Sequence, residues 1–336
     1  MKPLDLLPLL LLLGIPAVAA PPRYRVTDLG ALSGPKSEAV AVNDCGEVVG
    51  NADINIRSSG GTALTHAFLW RRGRLIDLGA FDRKSSRADG INNRGQIVGT
   101  SNQHGFIWSQ GRGCRLIRAT FCRGLATNDK GDVAGAEGPS TPEKLFLLRR
   151  GIKTWVSVGN VDSNTVTAIN SRGQVLINSG FSSGGRITLW QNHLHKLIHS
   201  SPADDAGYGI NEKGQIVGRL RRTTYSRAFL WNHGQIQLLG SLGAQNSEAH
   251  GINGSTEVVG TVYDSAPDVE SDDTAHVHSR AFFWQSGKMY DLNKCIPQKF
   301  GWTLSIARGI NNHGWIVGTG IHNGHTRAFL LTPGEQ

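Results

Sequence analysis

Charge is thin along this chain of 336 residues: 18% are Asp, Glu, Lys or Arg, and aromatic residues make up 7%. No stretch keeps the apolar spacing of a long helix, which argues against helical bundles and layered α/β folds. Past the leader described below, no apolar run is long enough to cross a membrane. Methionine is nearly absent (2) and cysteine sparse (4). Nucleotide-binding fingerprints, zinc spacings and calcium-loop patterns are missing, as is a Ser-x-Asp-x-Gly-x-x-Trp box. Gly180-Phe181-Ser182-Ser183-Gly184 matches the letters of a nucleophile elbow but lacks its strand–turn–helix setting. No catalytic residues, cofactor or metal are therefore assigned. What is plentiful is glycine, 43 residues, which suits many short strands joined by turns.

The chain opens MKPLDLLPLLLLLGIPAVAA, a lysine followed by a leucine-rich run and small residues at Ala17 and Ala19. This pattern predicts a signal peptide over 1–19 and a mature start at Ala20, hence a secreted or periplasmic protein. With no anchor after Leu331, the mature product is expected to be a soluble monomer. The formal charge is +9, and losing Lys2 with Asp5 leaves it unchanged. That balance favours an acidic partner, such as a polyanionic glycan or an anionic surface.

The stretch 90-GINNRGQIVGT-100 recurs. Its first asparagine has counterparts at Asn43, Asn128, Asn170, Asn211, Asn253 and Asn311, giving successive separations of 49, 36, 42, 41, 42 and 58. A second motif lies between them: HAFLW at His66, HGFIW at His104, KLFLL at Lys144, RITLW at Arg186, RAFLW at Arg227, RAFFW at Arg280 and RAFLL at Arg327. A third apolar run follows, as in RLIDLG after Gly73. Each unit thus holds four short strands, and N-x-x-G joins the first two as a hairpin turn, Asn accepting a local backbone bond and Gly taking positive φ. Asn253-Gly254-Ser255-Thr256 lacks that glycine, so the sixth hairpin is expected to close differently.

Four strands per unit, repeated seven times, predict an all-β, seven-bladed β-propeller in one domain over 20–336. The seventh unit stops without a fourth strand, and 24-YRVTDLG-30 reads as a fourth strand without a unit. Tyr24 to Leu29 is expected to close the ring beside Ala328 to Leu331.

The HAF triplet at His66-Ala67-Phe68, with GIN…G-[QE]-[IV]-VG and DLG, resembles the HAF family of extracellular bacterial repeat proteins. The resemblance covers the whole mature chain, although the histidine survives only at positions 66 and 104. It implies an exported protein and transfers no activity or catalytic residue.

Constant positions of the repeat serve packing; those that vary at the starts of the inner strands surround one mouth of the channel. Arg87, Asp89, Arg123, Tyr208, Glu248, His250 and Arg308 are the candidate ligand-binding residues. The competing reading is a ring of solvated residues that pair with one another. A second ring, formed by the basic or histidine residue opening each third strand, either bridges blades or makes a cationic face that Arg219, Arg221 and Arg222 extend. No sequence-specific nucleic-acid partner is expected, because no recognition helix or RNA-stacking motif occurs. The insertion 263-YDSAPDVESDDTAHVHS-279 gathers five carboxylates with His276 and His278, and reads as a solvated acidic loop, its metal binding left open. Cys45, Cys114, Cys122 and Cys295 allow three disulfide connectivities, of which the sequence selects none.

Two functions follow. The first is an exported binding module for a glycan, another anionic polymer or a surface protein. The alternative is a carbohydrate-active hydrolase or lyase using Glu38, Asp89 and Glu248.

Overall fold

The computed structural model describes residues 21–58, 60–80, 84–139, 143–159, 162–181, 184–264 and 279–334. The leader, positions 265–278 of the acidic insertion and Ser182 and Ser183 lie outside them. The described residues form seven four-stranded antiparallel sheets, each strand beside its neighbour in sequence. The exception is blade seven, where Tyr24–Asp28 pairs with His325–Pro333, from Tyr24 opposite Pro333 to Asp28 opposite Phe329. The Leu29 N–H continues the seam to the Ala328 carbonyl at 3.0 Å. The ring therefore closes as the missing fourth strand predicts.

Packing explains the repeat's constant letters. The second strand carries a glycine and the third a phenylalanine directly opposite it, as in Gly99 with Phe106 and Gly218 with Phe229. A Cβ on Gly99 would lie 2.0 Å from the Arg87 carbonyl and 2.7 Å from the Phe106 ring. Blade four, furthest from the consensus, holds Ile177 opposite Thr188 there, both buried, so volume has moved from one strand to the other.

The turns are built as the sequence suggests and then do more. Asn92 Oδ1 accepts from the Arg94 and Gln96 N–H groups, and Gly95 has φ +69°. The sixth turn is a correction: it closes like the others, with Asn253 accepting from Ser255 and Glu257 and Thr256 taking φ +67°. A β-branched residue tolerates that region poorly, but Thr256 Oγ1 donates to Gln215 Oε1 of blade five at 2.8 Å.

Blades are clamped at the opposite end by a hydroxyl. Ser86 accepts from the Ala67 N–H of blade one at 2.9 Å and donates to the Gly79 carbonyl. Ser37 and Ser247 repeat the clamp on Ala328 and Ala228. In blade three Cys122 stands in the serine's place, with the Gly105 N–H on its sulfur, and burial pushes its thiol up. All four cysteines are free thiols.

Candidate functional site

Each inner strand carries a β-bulge. The ladders skip Asp89, Thr167, Tyr208, His250 and Arg308, each left as the extra residue between two paired neighbours. Bulges re-aim side chains. The variable positions are thus presented by a constant backbone device that the alternation of the sequence does not reveal.

Four of the seven candidates come together. Glu248 Oε1 accepts from Arg219 Nη1 at 2.9 Å and from the Tyr263 hydroxyl at 2.6 Å. Burial opposes its charge; His250 when protonated, then Arg219 and these two hydrogen bonds, hold the carboxyl below its ordinary value. The His250 ring lies 5.5 Å from that of Tyr208, tilted by 41°. Burial dominates His250 and, with Arg308 and Arg219, outweighs Glu248 to push the imidazole down to about 4, so it is uncharged at neutral pH. Burial and the adjacent Glu248 push the Tyr208 hydroxyl up. Arg308 completes the group, its Nη2 lying 3.6 Å from Glu38 Oε2.

Arg87 and Asp89 lie together on blade two, near enough to interact electrostatically. Asp89 is half-buried, and its Oδ2 touches neither solvent nor a hydrogen-bond partner. Burial raises its carboxyl to about 7, against Arg87 and the Leu125 N–H. Arg123 opens the inner strand of blade three, and its side chain lies outside the described ones.

Arg219 needs correcting. Rather than extending a cationic face, it turns inward, bound by Glu248 and by Asp204 Oδ2 at 3.0 Å. It sits one residue past the constant glycine of the second strand, where Asn51 and Asn178 also reach the next blade's inner strand. The basic ring is largely structural too. Arg227 donates to the Gln245 carbonyl, Arg327 to the Pro35 carbonyl, and Arg280 to Asp291 at 3.1 Å and the Leu242 carbonyl. His66 meets Asp77 at 2.9 Å. Fixed geometry explains why a cation is kept at these positions.

Sequence reasoning missed Tyr263 and Tyr225. Tyr263 closes over Glu248, and Tyr225, 40% exposed, stands at a cleft of about 470 Å³ between blades five and six with Arg221, Arg222 and Gln245. Neither belongs to a repeated motif, so only the three-dimensional register brings them in.

The opposite mouth is ringed by hydrogen bonds around a cavity of about 230 Å³. Each turn asparagine donates from Nδ2 to the main-chain oxygen of the next blade's asparagine, Asn43 to Asn92 and onward to Asn311, which returns to Asn43 at 3.0 Å. Asp44 lies outside this circle; burial opposes its charge, but hydrogen bonds from Asn312 and Asn93 hold the carboxyl below its ordinary value. Among the described residues no cluster of three metal-ligating side chains occurs, and no helix is long and apolar enough to cross a membrane.

No family model matches the chain, and no curated protein does. Solved propellers do. The β-propeller domain of the trilobed protease from Pyrococcus furiosus, described as an open velcro topology, aligns with TM-score 0.58 at 10% identity over 90% of this chain and 94% of that one. Virginiamycin B lyase from Staphylococcus aureus gives 0.56 at 11% over 92% and 99%. A protein from Agrobacterium tumefaciens assigned as TolB gives 0.53 at 11% over 90% and 100%. The chain spans 48% of a matched dipeptidyl peptidase 4 from Porphyromonas gingivalis, at TM-score 0.48. At these identities the likeness is one of fold: this chain is a seven-bladed β-propeller whose ring, unlike the open one, is sealed by its own N-terminal strand.

Proposed function

We propose that this propeller is an exported binding module of the HAF type that takes an anionic glycan on the face where its inner strands begin. The leader-like first 19 residues and the repeated motifs support export and the family. The observation that carries the binding reading is the state of the acids at that mouth. Glu248 is occupied by Arg219 and Tyr263, and Glu38 faces Arg308. Glycoside hydrolysis in its common form needs two carboxylates working as a pair across the scissile bond, and here two of the three are engaged by cations. A fixed, mixed-charge, aromatic-bearing surface is suited to recognition.

Asp89 favours the second reading, a carbohydrate-active hydrolase or lyase. Its carboxyl, raised to about 7, has the proton affinity of a general acid at neutral pH. One experiment addresses both. The full mature chain is applied to an array of acidic and neutral glycans and polyanions, and the same glycans are assayed for new reducing ends or unsaturated products. Binding without turnover is expected, weakening as salt rises. Turnover that disappears in Asp89→Asn would establish the enzyme instead, and no binding to any glycan would overturn the module.

A further inference from the structure

Resting on that reading, we infer that the cleft between blades five and six is a subsite for an anionic pyranose, a sugar ring bearing a carboxylate or a sulfate. The cleft holds about 470 Å³, at the lower end of the range for small-ligand sites and enough for one or two sugar rings.

Its charge is uneven by construction. Arg219 is answered by Glu248 and Asp204. Arg221 and Arg222 are exposed, and no carboxylate lies within ion-pair distance of either guanidinium among the described residues. Two guanidiniums without a counter-charge on one rim suit an oxyanion, which each can grip in a forked geometry.

The same rim supplies a ring. Tyr225 is 40% exposed, and Arg227 covers one of its faces at 4.4 Å from the ring centroid. The remaining surface can stack against the C–H face of a pyranose. At the base, Tyr263 donates to Glu248 Oε1, while Oε2 accepts no hydrogen bond among the described residues. That oxygen is placed to accept from a sugar hydroxyl.

The backbone of the rim is held before any ligand arrives. The Arg222 N–H closes the hairpin tip on the Tyr225 carbonyl at 2.7 Å, and Gln245 Nε2 pins the tip through the Thr224 carbonyl at 2.7 Å. The Arg221 N–H donates to Asp205, whose side chain is fully buried. The backbone of the rim, fixed in this way, loses little freedom on binding, and the ordering cost falls on the exposed arginine side chains.

The test uses the full mature chain with polygalacturonate, dextran sulfate, neutral dextran and inorganic polyphosphate, by titration calorimetry at two salt concentrations. One or both charged glycans are expected to bind, and which one does assigns carboxylate or sulfate; neutral dextran is expected not to bind, and polyphosphate to bind more weakly than the glycan because it lacks the ring that Tyr225 stacks. Arg221→Ala/Arg222→Ala should weaken binding by about tenfold or more, and Tyr225→Ala by about tenfold with the salt dependence retained. The charge-matched Arg112→Ala/Arg115→Ala, on blade two, should leave it unchanged. All four arginines are exposed, so melting temperatures should match the parent. Charged-glycan binding that survives the Arg221/Arg222 change overturns the cleft and leaves the module standing, and polyphosphate binding as tight as the glycan overturns the sugar specificity. Failure to bind any glycan overturns the underlying reading as well.

Discussion

The turn asparagine does more than any other single residue of the repeat. Asn211 is buried and uses both ends of its amide: Oδ1 accepts from the Lys213 and Gln215 N–H groups, while Nδ2 donates to Gln215 Oε1 and to the Asn253 carbonyl of the next blade. Asn211→Ala strands all of these partners at once. Unsatisfied buried polar groups cost roughly 1–3 kcal/mol each and some will reach water, so a loss of about 3 kcal/mol is expected. Urea unfolding should show it as a lower midpoint at unchanged slope; a midpoint shift under about 0.5 kcal/mol would mean that the ring of amides contributes nothing. The local half of this role is legible in the sequence, since Asn before x-x-Gly is a turn signal. The inter-blade half is not, although one trace exists: Asn253 is kept where the turn glycine has given way to Thr256.

At the scale of the element, the glycine of the second strand, the phenylalanine of the third and the bulge of the first are one device. The Arg87 carbonyl occupies the space where a side chain on Gly99 would begin, and the Phe106 ring lies over what is left. Gly99→Ala therefore meets backbone that cannot move without disturbing the ladder. It should cost about 3 kcal/mol, toward the upper end for single substitutions, although alanine is otherwise the better strand residue. A thermal melt equal to the parent would show the bulge to be soft. This device also sets what the sequence can reveal. Strands, hairpins and the shared seventh blade follow from period and spacing, so the architecture is legible residue by residue. The candidate residues around the channel were placed on the right strands for the same reason. Their partners were not: Arg219 and Tyr225 reach Glu248 or its cleft from blade five, across the angle between two blades, and Tyr263 reaches it from the paired strand of blade six, all from positions with no repeated letter. Arg219, read from sequence as one more surface cation, spends its charge on two carboxylates for that reason.

The whole molecule joins two closed circuits, the paired strands of the seam and the amide ring, with an opposite face carrying the titratable residues. Two of those residues give it opposing pH responses. His250 falls to about 4 from an ordinary 6.5, so between those values the unfolded chain holds a proton that the folded one does not, and this group makes stability rise with pH. Glu248 favours the charged imidazole, while Arg308 and Arg219 and the enclosing burial disfavour it. Asp89 rises to about 7 from an ordinary 3.8, so across nearly the same window the folded chain holds the extra proton, and this group makes stability fall with pH. Arg87 and the Leu125 N–H oppose that rise without cancelling it. The slopes have opposite signs, so the parent should look nearly indifferent to pH across this range while carrying two buried titrations. Single variants separate them. His250→Gln leaves Asp89 in command, and stability should decline from about pH 4 to pH 7; Asp89→Asn leaves His250, and stability should climb from about pH 4 to pH 6.5. Urea midpoints in half-unit steps of pH would read both, and slopes of the same sign in the two variants would show that these residues do not titrate against each other.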